Sequence, residues 1–278
     1  MYKTLRFPNF RLKAVTLSYD DGVVFDKKLI EILDAYGLKC TFNLNAGLFA
    51  KVSGENRRLT QDEAVKLYAN TSHEIAIHGY NHLSLGEIDS ARASLDVAKD
   101  RESLESLFGR IIKGMAYANG SYSDNAVEVL KNNGINYART VVQTGDFAIP
   151  NDWLRLPSTC HHANPNLMSY VEKFLSFQDA WNARPKLFYL WGHSYEFEDN
   201  NNWHIIENFA KEISGKDDIW YATNGEIYDY IKAYNSLIYS IDGSIITNPT
   251  NIDVYMNFNG VRVVVKAGET IKIKAINI

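Results

Sequence analysis

The sequence predicts an α/β protein built around a parallel β-sheet, either open or closed into a barrel. Short apolar and β-branched runs alternate with amphipathic helical patterns up to about residue 235. Beyond residue 237 the helical period is lost, and β-branched runs are separated by Asp-Gly, Asn-Pro, Asn-Gly and Ala-Gly pairs. This second pattern predicts a small antiparallel β appendage at the C-terminal end.

We therefore expect two parts, an α/β body over residues 1–236 and a β appendage over residues 237–278. The appendage has only about forty residues, which are too few to bury a core of their own. It should therefore pack on the α/β body.

Local patterns predict the elements of the α/β body in chain order. The first strand is expected over residues 13–18 (KAVTLS), and the helix that follows over 26–37 has its apolar side chains on one face. Later short apolar runs predict strands over residues 40–45, 74–77, 113–118, 136–142, 153–157 and 186–191. Amphipathic patterns predict helices over residues 61–69, 88–108, 124–133, 167–182, 202–214 and 224–235.

Composition and charge exclude several classes of protein. The chain is 46% apolar and 22% charged, which is typical of a soluble globular protein. With a net charge of −4 and no Lys/Arg cluster, it lacks the features of a nucleic-acid-binding protein. No apolar run reaches membrane-spanning length, and nothing in the sequence indicates an oligomeric state.

Two features concern the cellular compartment. The N-terminal stretch MYKTLRFPNFRLKAVTLSYDDG has no apolar segment and no small-residue cleavage site of a signal peptide. We therefore expect a cytoplasmic protein, or a secreted one if a leader has been removed. Cys40 and Cys160 allow one disulfide, but two buried thiols in a reducing compartment are the preferred interpretation.

The first candidate for chemistry is LSYDDG at residues 17–22, where a predicted strand ends in two adjacent carboxylates. Like charges repel, and burying one carboxylate without a partner is costly. Asp20 and Asp21 lie just past the C-terminal end of the strand, where parallel α/β folds carry their sites. Asp-Asp-Gly also suits a turn, so a purely structural interpretation remains open.

The second candidate is HGYNH at residues 78–82, directly after the strand EIAI. His78 and His82 can converge on one ion if the segment makes a helical turn, although an isolated pair is more simply two loop histidines. With Asp21 they form a set that leaves positions open for water and substrate. Asp20 could then take a proton from the bound water. This donor set suits one zinc ion, with cobalt, nickel, manganese or iron also possible.

The third candidate is LFYLWGHSYEF, where His193 closes a strongly apolar strand. It too lies at the C-terminal end of a predicted strand. A histidine there can be a further metal ligand, a general acid or a structural group.

Four motifs in this order make the chain resemble the polysaccharide deacetylase family, carbohydrate esterase family four, over about residues 12–235. LSYDDG matches the family's Asp-Asp pair ahead of glycine, and HEIAIHGYNH matches its two histidines four apart. MAYANGSYS matches a strand leading into a glycine-containing loop, and LFYLWGH matches an apolar strand that ends in histidine.

This resemblance implies a distorted (β/α) barrel of about seven parallel strands, with the catalytic barrel over residues 1–236. It also implies a divalent metal, usually zinc, bound by Asp21, His78 and His82. Asp20 would be the general base and His193 the general acid. A backbone N–H near Tyr122 would help the metal to stabilise the oxyanion.

The chain departs from the family pattern in two places. Ala116 stands where the third motif usually carries an Arg that orients the base aspartate, so another cation is needed. Arg139 is our candidate and Arg155 the second, although both could form surface ion pairs instead. Asp152 and Trp153 correspond only poorly to the family's motif for tuning the acid histidine, and Asp152 is equally suited to capping a turn.

Further residues could line a saccharide cleft. His161 and His162 lie just beyond a predicted strand and could contact substrate, bind a second ion or be loop residues. His73 and His204 are expected to be structural and exposed, respectively. Aromatic side chains that flank the motifs could stack on a sugar ring, although Trp191 is better suited to filling the barrel: Tyr80, Tyr122, Trp153, Trp191 and Tyr195.

The sequence therefore predicts a metal-dependent hydrolase that removes acetyl groups from an N- or O-acetylated saccharide or glycoconjugate. Metal-activated water would attack, with Asp20 as base and His193 as acid. One alternative is a hydrolase of non-sugar C–N bonds, such as a cyclic imide or ureide, because the family Arg is missing. The other is a carbohydrate-binding protein without catalysis, in which the β appendage supplies contacts.

Overall fold

The structure, a computed structural model, describes residues 2–273. Its strands are β1 (Lys3–Arg6), β2 (Lys13–Asp20), β3 (Cys40–Leu44), β4 (Glu74–Ile77), β5 (Gly114–Ala116), β6 (Tyr137–Gln143), β7 (Leu156–Ser158), β8 (Cys160–His161), β9 (Lys186–Gly192), β10 (Ile219–Tyr221), β11 (Ile238–Tyr239), β12 (Ile245–Thr247), β13 (Val254–Phe258), β14 (Val261–Val265) and β15 (Thr270–Lys272). Its α-helices are α1 (Asp26–Ala35), α2 (Gln61–Tyr68), α3 (Ser90–Phe108), α4 (Asp124–Asn132), α5 (Leu167–Ser176), α6 (Ser194–Asp199), α7 (His204–Ile213) and α8 (Asn224–Asn235).

The main sheet is parallel and closes on itself. Its strands run in the order β7-β6-β5-β4-β3-β2-β9-β8, and β10 pairs with the first residues of β2. The two outer strands, β7 and β8, are separated along the chain only by Thr159. Residues 156–161 therefore pair with β6 on one side and with β9 on the other. When β7 and β8 are counted as one strand, seven strands form the closed path and β10 adds an eighth beside β2, so the predicted distorted barrel of about seven parallel strands is confirmed.

The central strand explains why the first motif lies where it does. All eight residues of β2 are buried. Its side chains alternate along the strand: Val15, Leu17 and Tyr19 belong to the main hydrophobic core, whereas Thr16, Ser18 and Asp20 are buried polar groups on the other face. This strand ends at Asp20, so the paired aspartates emerge at the C-terminal mouth of the barrel.

The N-terminal end of the barrel is closed by α8. Asn224 accepts a hydrogen bond from the Thr16 hydroxyl at 2.8 Å and donates one to the Tyr189 hydroxyl at 2.6 Å. The Gly225 N–H donates to Glu74 Oε2 at 2.8 Å, and a Cβ at position 225 would lie 2.3 Å from the same carboxylate. Because this end is filled, the opposite mouth is left for a site.

Two helices begin and end at residues that the sequence supports. The Thr60 hydroxyl accepts from the Glu63 N–H, and the Glu63 carboxylate accepts from the Thr60 N–H, which makes a capping box at the start of α2. The Asp89 carboxylate caps α3, and Gly109 ends that helix in the left-handed conformation with φ +63°. The predicted end of this long helix at residue 108 is confirmed.

The C-terminal strands form the predicted antiparallel appendage. β13 pairs with β14, and β12 pairs with β11 and β15. β1 also belongs to this part, because it pairs with β13. Tyr230 of α8 bonds to both strands: its hydroxyl donates to the Arg6 carbonyl of β1 and accepts from the Tyr255 N–H of β13. The predicted boundary at residue 236 stays a prediction, and residues 274–278 of the appendage lie outside the described range.

Some predicted elements differ from the structure. Trp153–Arg155 form a 3₁₀ turn, because the Asp152 carboxylate accepts the Leu154 N–H at 3.0 Å, and the strand expected over 153–157 therefore starts at Leu156. The helix predicted over 167–182 ends at Ser176. No strand or helix was predicted for four short elements: β1, β8, α6 and β10.

Two further expectations concern thiols and membranes. Cys40 and Cys160 are both buried free thiols, as preferred from the sequence. Within residues 2–273, every helix is too short or too polar to cross a membrane.

Candidate active site

The carboxyl ends of β2, β4 and β9 bring the predicted motifs together at one mouth of the barrel. His78 Nε2 lies 3.8 Å from Asp20 Oδ2 and 4.0 Å from Asp21 Oδ1. His82 Nε2 lies 3.7 Å from Asp21 Oδ1, and His193 Nε2 lies 3.9 Å from Asp20 Oδ2. Five side chains separated by up to 173 positions in sequence therefore form one cluster.

Asp20 is a buried carboxylate with a full set of partners. Its Oδ1 accepts from Asn43 Nδ2 at 2.8 Å, and its Oδ2 accepts from the Arg139 guanidinium. Burial raises the pKa of Asp20. The positive charge of Arg139, with smaller contributions from His78 and His193, lowers it by more, so the pKa falls to about 2. Asp20 is therefore ionised at neutral pH.

Arg139 reaches Asp20 from the strand next to the one that carries the third motif. Arg139 of β6 is in register with Ala116 of β5, and paired residues on neighbouring parallel strands point to the same face of the sheet. The small Ala116 side chain leaves this face open, so a guanidinium can enter from one strand further along. Arg155, the second candidate, instead pairs with Asp152 and Asp124 at the surface.

The Arg139 side chain is fully buried and held on several sides. Its guanidinium carbon lies 4.3 Å from the ring centroid of Trp191, a cation–π contact in a desolvated setting. Its Nε donates to the Ser18 hydroxyl at 3.3 Å, and its Nη1 donates to the Thr140 carbonyl at 3.3 Å. Trp191 does fill the barrel, as expected, but it also supports the cation that faces Asp20.

Asp21, His78 and His82 form a cluster of the size that one ion requires. One candidate ligand atom from each residue lies within 4.8 Å of the others. Asp21 and His82 both have positive φ angles, +89° and +56°, which non-glycine residues rarely adopt and which cluster at functional sites. These unusual backbone conformations turn both side chains towards His78.

The hydrogen bond of His78 makes this residue competent to bind a metal. Its Nδ1 lies 2.7 Å from the Ala116 carbonyl oxygen, which can only accept, so Nδ1 carries the proton and the Nε2 lone pair faces the aspartates. Burial lowers the pKa of His78, although Asp20 and Asp21 oppose this, so the ring is neutral as ligation requires. The residues present therefore fit the divalent ion that the motifs imply.

Two carboxylates on α3 hold the loop that carries the histidines. Asp100, which is fully buried, accepts from the Ala46 N–H at 2.7 Å and from the His78 N–H at 3.1 Å. Asp96 accepts from both the backbone and side-chain nitrogens of Asn81. Burial raises the pKa of Asp100 to about 8, against the lowering effect of these backbone N–H groups.

Arg58 fixes Asp21 in its strained conformation. Its guanidinium donates to Asp21 Oδ1 at 2.9 Å, to the Asp21 carbonyl, and to Asn45 Oδ1 at 2.9 Å. An antiparallel bridge between Val23 and Arg58 ties the loop that carries Arg58 to the turn after β2. An ionised carboxylate has about four lone-pair sites, so Asp21 can accept from Arg58 and still bind an ion.

His193 faces Asp20 on one side and Glu196 on the other. Its Nδ1 lies 3.4 Å from Glu196 Oε1. Burial lowers the pKa of His193, but Glu196, Asp20 and Asp21 together outweigh burial and raise it above its usual value. A raised pKa keeps more of the imidazole protonated near neutral pH, as a proton donor requires.

His161 and His162 lie beside this histidine, at the end of β8. Each has its Nε2 3.1 Å from Glu196 Oε2. The ring of His162 is buried between Tyr19 and Phe197, with which it stacks. Both histidines therefore lie beside the mouth of the barrel, and the roles considered for them from the sequence stay predictions.

The remaining predicted site residues lie further out. Tyr122 is partly exposed, and its ring centroid lies 5.3 Å from that of Tyr117, which follows β5. Trp153 packs edge-on against Tyr228 of α8, and none of the aromatic contacts of the described residues joins it to the site histidines. The Asp152 carboxylate caps the turn before β7 and pairs with Arg155 at the surface.

Four residues that contact the site had not been predicted from the sequence: Asn43, Arg58, Asp100 and Glu196. Only Glu196 had a usable signal, because it follows His193 by three residues, the spacing at which a first-turn carboxylate reaches back to the residue before a helix. Arg58 lies in a polar loop without periodicity, and Asp100 is part of an ordinary helical pattern.

Comparisons with known proteins agree with this geometry. Residues 8–138 match the model of the family described as polysaccharide deacetylase. A probable peptidoglycan-N-acetylglucosamine deacetylase of Arthroderma benhamiae is 34% identical over 88 residues, which cover 31% of this chain and 18% of that protein. A chitin deacetylase of Pestalotiopsis sp. is 23% identical over 144 residues, which cover 51% of this chain and 46% of that protein. The chain thus spans less than half the length of these two curated relatives.

The fold leads to the same group of proteins. The family 4 carbohydrate esterase of Streptomyces lividans, solved in complex with acetate, superposes with a TM-score of 0.51 at 14% identity, over 74% of this chain and 90% of that one. At this identity the match shows a common fold. The fold, the motifs and the family match together define a carbohydrate deacetylase-type barrel. The match of residues 8–138 to the polysaccharide deacetylase model, a little under half of the chain, confirms the resemblance predicted from its motifs.

Proposed function

We propose that this protein removes acetyl groups from an N- or O-acetylated saccharide by hydrolysis that depends on one divalent ion, with zinc as the first choice. Asp21, His78 and His82 would hold the ion. The observation that carries the proposal is their position beside Asp20 and His193. The cluster combines three possible metal ligands with an ionised carboxylate and a histidine that can donate a proton. Each of the five side chains has a nitrogen or oxygen atom within 4.0 Å of such an atom in another.

Each side chain has a definite task in this reaction. When bound, the ion would acidify water and polarise the acetyl carbonyl. Asp20, kept ionised by Arg139, accepts the proton of the water that attacks the acetyl carbon. His193 gives its Nε2 proton to the leaving nitrogen or oxygen as the bond to the acetyl carbon breaks. The products are acetic acid, which releases its proton to solvent at neutral pH, and a free amine or alcohol, with one proton gained by Asp20 and one lost by His193.

Two contacts with substrate belong to the same proposal. A backbone N–H near Tyr122 is the proposed oxyanion donor, because this residue follows the loop after β5. Tyr195, whose ring centroid lies 5.1 Å from that of His193, is the proposed stacking surface for a sugar ring.

The case for a cyclic-imide hydrolase is weakened by the structure. This alternative rests on the replacement of the family Arg by Ala116. Arg139 supplies a cation to Asp20 from the neighbouring strand, so the absence of Arg at position 116 no longer distinguishes the two reactions.

Acetate release from chelator-stripped protein, with and without added zinc, tests the proposal. The panel contains acetylated chitooligosaccharides, an O-acetylated saccharide and a small cyclic imide. We expect acetate from at least one acetylated saccharide, and only after zinc is restored, because the triad is needed to hold the ion. Ring opening of the imide without acetate release would contradict the proposal, as would saturable saccharide binding without release at any zinc concentration.

A further inference from the structure

Glu196 lies at the centre of three histidines, an arrangement outside the metal triad. Its Oε2 is 3.1 Å from His161 Nε2 and from His162 Nε2, and its Oε1 is 3.4 Å from His193 Nδ1. The His193 backbone N–H also donates to Oε2, at 3.3 Å. One carboxylate is thus shared by the imidazole of the proposed acid and by two imidazoles from β8 and the residue after it.

A second metal ion is the obvious alternative for this cluster, since His161, His162 and Glu196 also have ligand atoms within 4.8 Å of one another. The proton on His161 argues against it. The Ala163 N–H donates to His161 Nδ1 at 3.1 Å, so Nδ1 is an acceptor and the proton of the neutral ring is on Nε2. An Nε2–H group donates to Glu196 and has no lone pair for an ion. His78 has the opposite tautomer, because its Nδ1 faces a carbonyl and carries the proton, which leaves the Nε2 lone pair free for an ion.

His162 supports the same conclusion. Burial lowers its pKa to about 4, against the opposing effect of Glu196, so the ring is neutral. Its Nδ1 is buried without a hydrogen-bond partner among the described residues, and a Cβ at Gly192 would lie 1.9 Å from that atom. A proton on Nδ1 would therefore be buried without a hydrogen bond, which is costly, whereas a proton on Nε2 can be donated to Glu196. The favoured tautomer thus carries its proton on Nε2.

We propose that Glu196 is the positioning carboxylate for His193, and that His161 and His162 hold Glu196 in place by donating to its Oε2. This inference rests on the proposed function, because it assigns the orientation of the proposed acid. In the family pattern an aspartate of another motif has this task, and the corresponding Asp152 caps a turn instead. The carboxylate here comes from the same helix that begins at His193.

The proposal has a chemical consequence that a structural role lacks. An acetamide expels an amine, which leaves only if its nitrogen is protonated, so the reaction needs His193. An aryl acetate such as 4-nitrophenyl acetate expels a stable phenolate and needs no proton donor. Loss of the positioning carboxylate should therefore slow the first reaction much more than the second.

The decisive variant is Glu196→Gln, whose amide oxygen can still accept from the two histidines. We expect acetate release from an acetylated chitooligosaccharide to fall about tenfold or more, and hydrolysis of 4-nitrophenyl acetate to stay within about twofold of the wild type, because general-acid catalysis contributes roughly 10²–10⁴-fold. The alkaline limb of the pH–rate profile should move to lower pH, since His193 loses a negative neighbour. Glu198→Gln on the same helix is the matched control and should alter neither reaction.

Several outcomes would overturn the proposal. One is an equal loss on both substrates, and another is no loss on either. A third is two bound zinc ions per chain in the wild type with one missing in Glu196→Gln, because that would make the cluster a metal site.

A separate titration distinguishes failure of this proposal from failure of the proposed function. The charged and titratable groups around His193 are Asp20 and Asp21 after β2, His161 and His162 at β8, and Tyr195 and Glu196 on α6. If the wild type releases no acetate, the proposed function fails, but proton NMR titration of His193 in both proteins still tests Glu196. We expect a lower midpoint in Glu196→Gln, and an unchanged midpoint would contradict the positioning role.

Discussion

Replacing Asp20 with Asn is expected to reduce acetate release by about 10²-fold to 10⁴-fold or more, because an amide cannot accept the proton of the attacking water. The variant should still bind one ion, because Asp21, His78 and His82 are unchanged. It should also be less stable, since Asp20 is the buried partner of Arg139. Acetate release, bound zinc and far-UV circular dichroism measured on the same preparation check all three expectations.

Asp21→Asn is the matched control at the neighbouring position. Both variants replace an aspartate by its amide, but we expect Asp21→Asn to lose the ion and the activity together. If the two variants behaved alike in zinc binding, the division of roles between these carboxylates would be wrong. Full activity in Asp20→Asn would remove the base from the mechanism.

Arg139→Ala is expected to cause the largest loss of stability among the changes considered. Removing one partner of a buried ion pair leaves a buried charge without compensation and costs about 3–5 kcal/mol. The Arg139 guanidinium is fully buried and also stacks on Trp191, so no nearby solvent replaces it. The free energy of unfolding from denaturant titration, with acetate release measured on the folded fraction, checks this expectation.

The same variant should change the dependence on pH. In the folded protein Arg139 lowers the pKa of Asp20 to about 2, below the ordinary 3.8 of an aspartate. The pair therefore contributes stability above pH 3.8, and this contribution is lost as the pH falls towards 2. Without Arg139, burial raises the pKa of Asp20 with less opposition, so the acidic limb of the activity profile should move to higher pH.

Two further variants make this prediction specific. Arg155→Ala removes the other candidate arginine, whose ion pairs are at the surface, and should change stability and activity little. Ala116→Arg combined with Arg139→Ala returns the cation to the strand where the family carries it, on the same face of the sheet, and should recover part of the activity. An Arg139→Ala protein with normal activity and an unshifted acidic limb would contradict the role assigned to Arg139.

Much of the barrel could be predicted because its strands are encoded locally. Buried parallel strands form short apolar runs, and helix ends such as Gly109 have their own chemistry. The closure of the sheet could not be predicted in this way. It depends on residues 156–161 pairing with two strands at once, and this pairing is a property of the three-dimensional path. The pairing of β1 with β13 joins the two ends of the chain and has no local signal.

The site shows the same division between local and distant information. The ends of predicted strands located Asp20, Asp21, His78 and His193 correctly at one mouth, because parallel strands place their carboxyl ends together. Arg139 was a reasonable candidate from the sequence, but its approach to Asp20 depends on the register between β5 and β6. Arg58 had no signal, since a loop contact between Val23 and Arg58 places it against Asp21.

Titration of zinc into chelator-stripped protein tests whether deacetylation depends on one ion held by Asp21, His78 and His82. Bound ion and acetate release from an acetylated chitooligosaccharide are measured on each sample. We expect acetate release to rise in proportion to bound zinc and to reach its maximum at one ion per chain. Release that is independent of bound zinc, or one tightly bound ion with no release from any acetylated saccharide, would contradict this expectation.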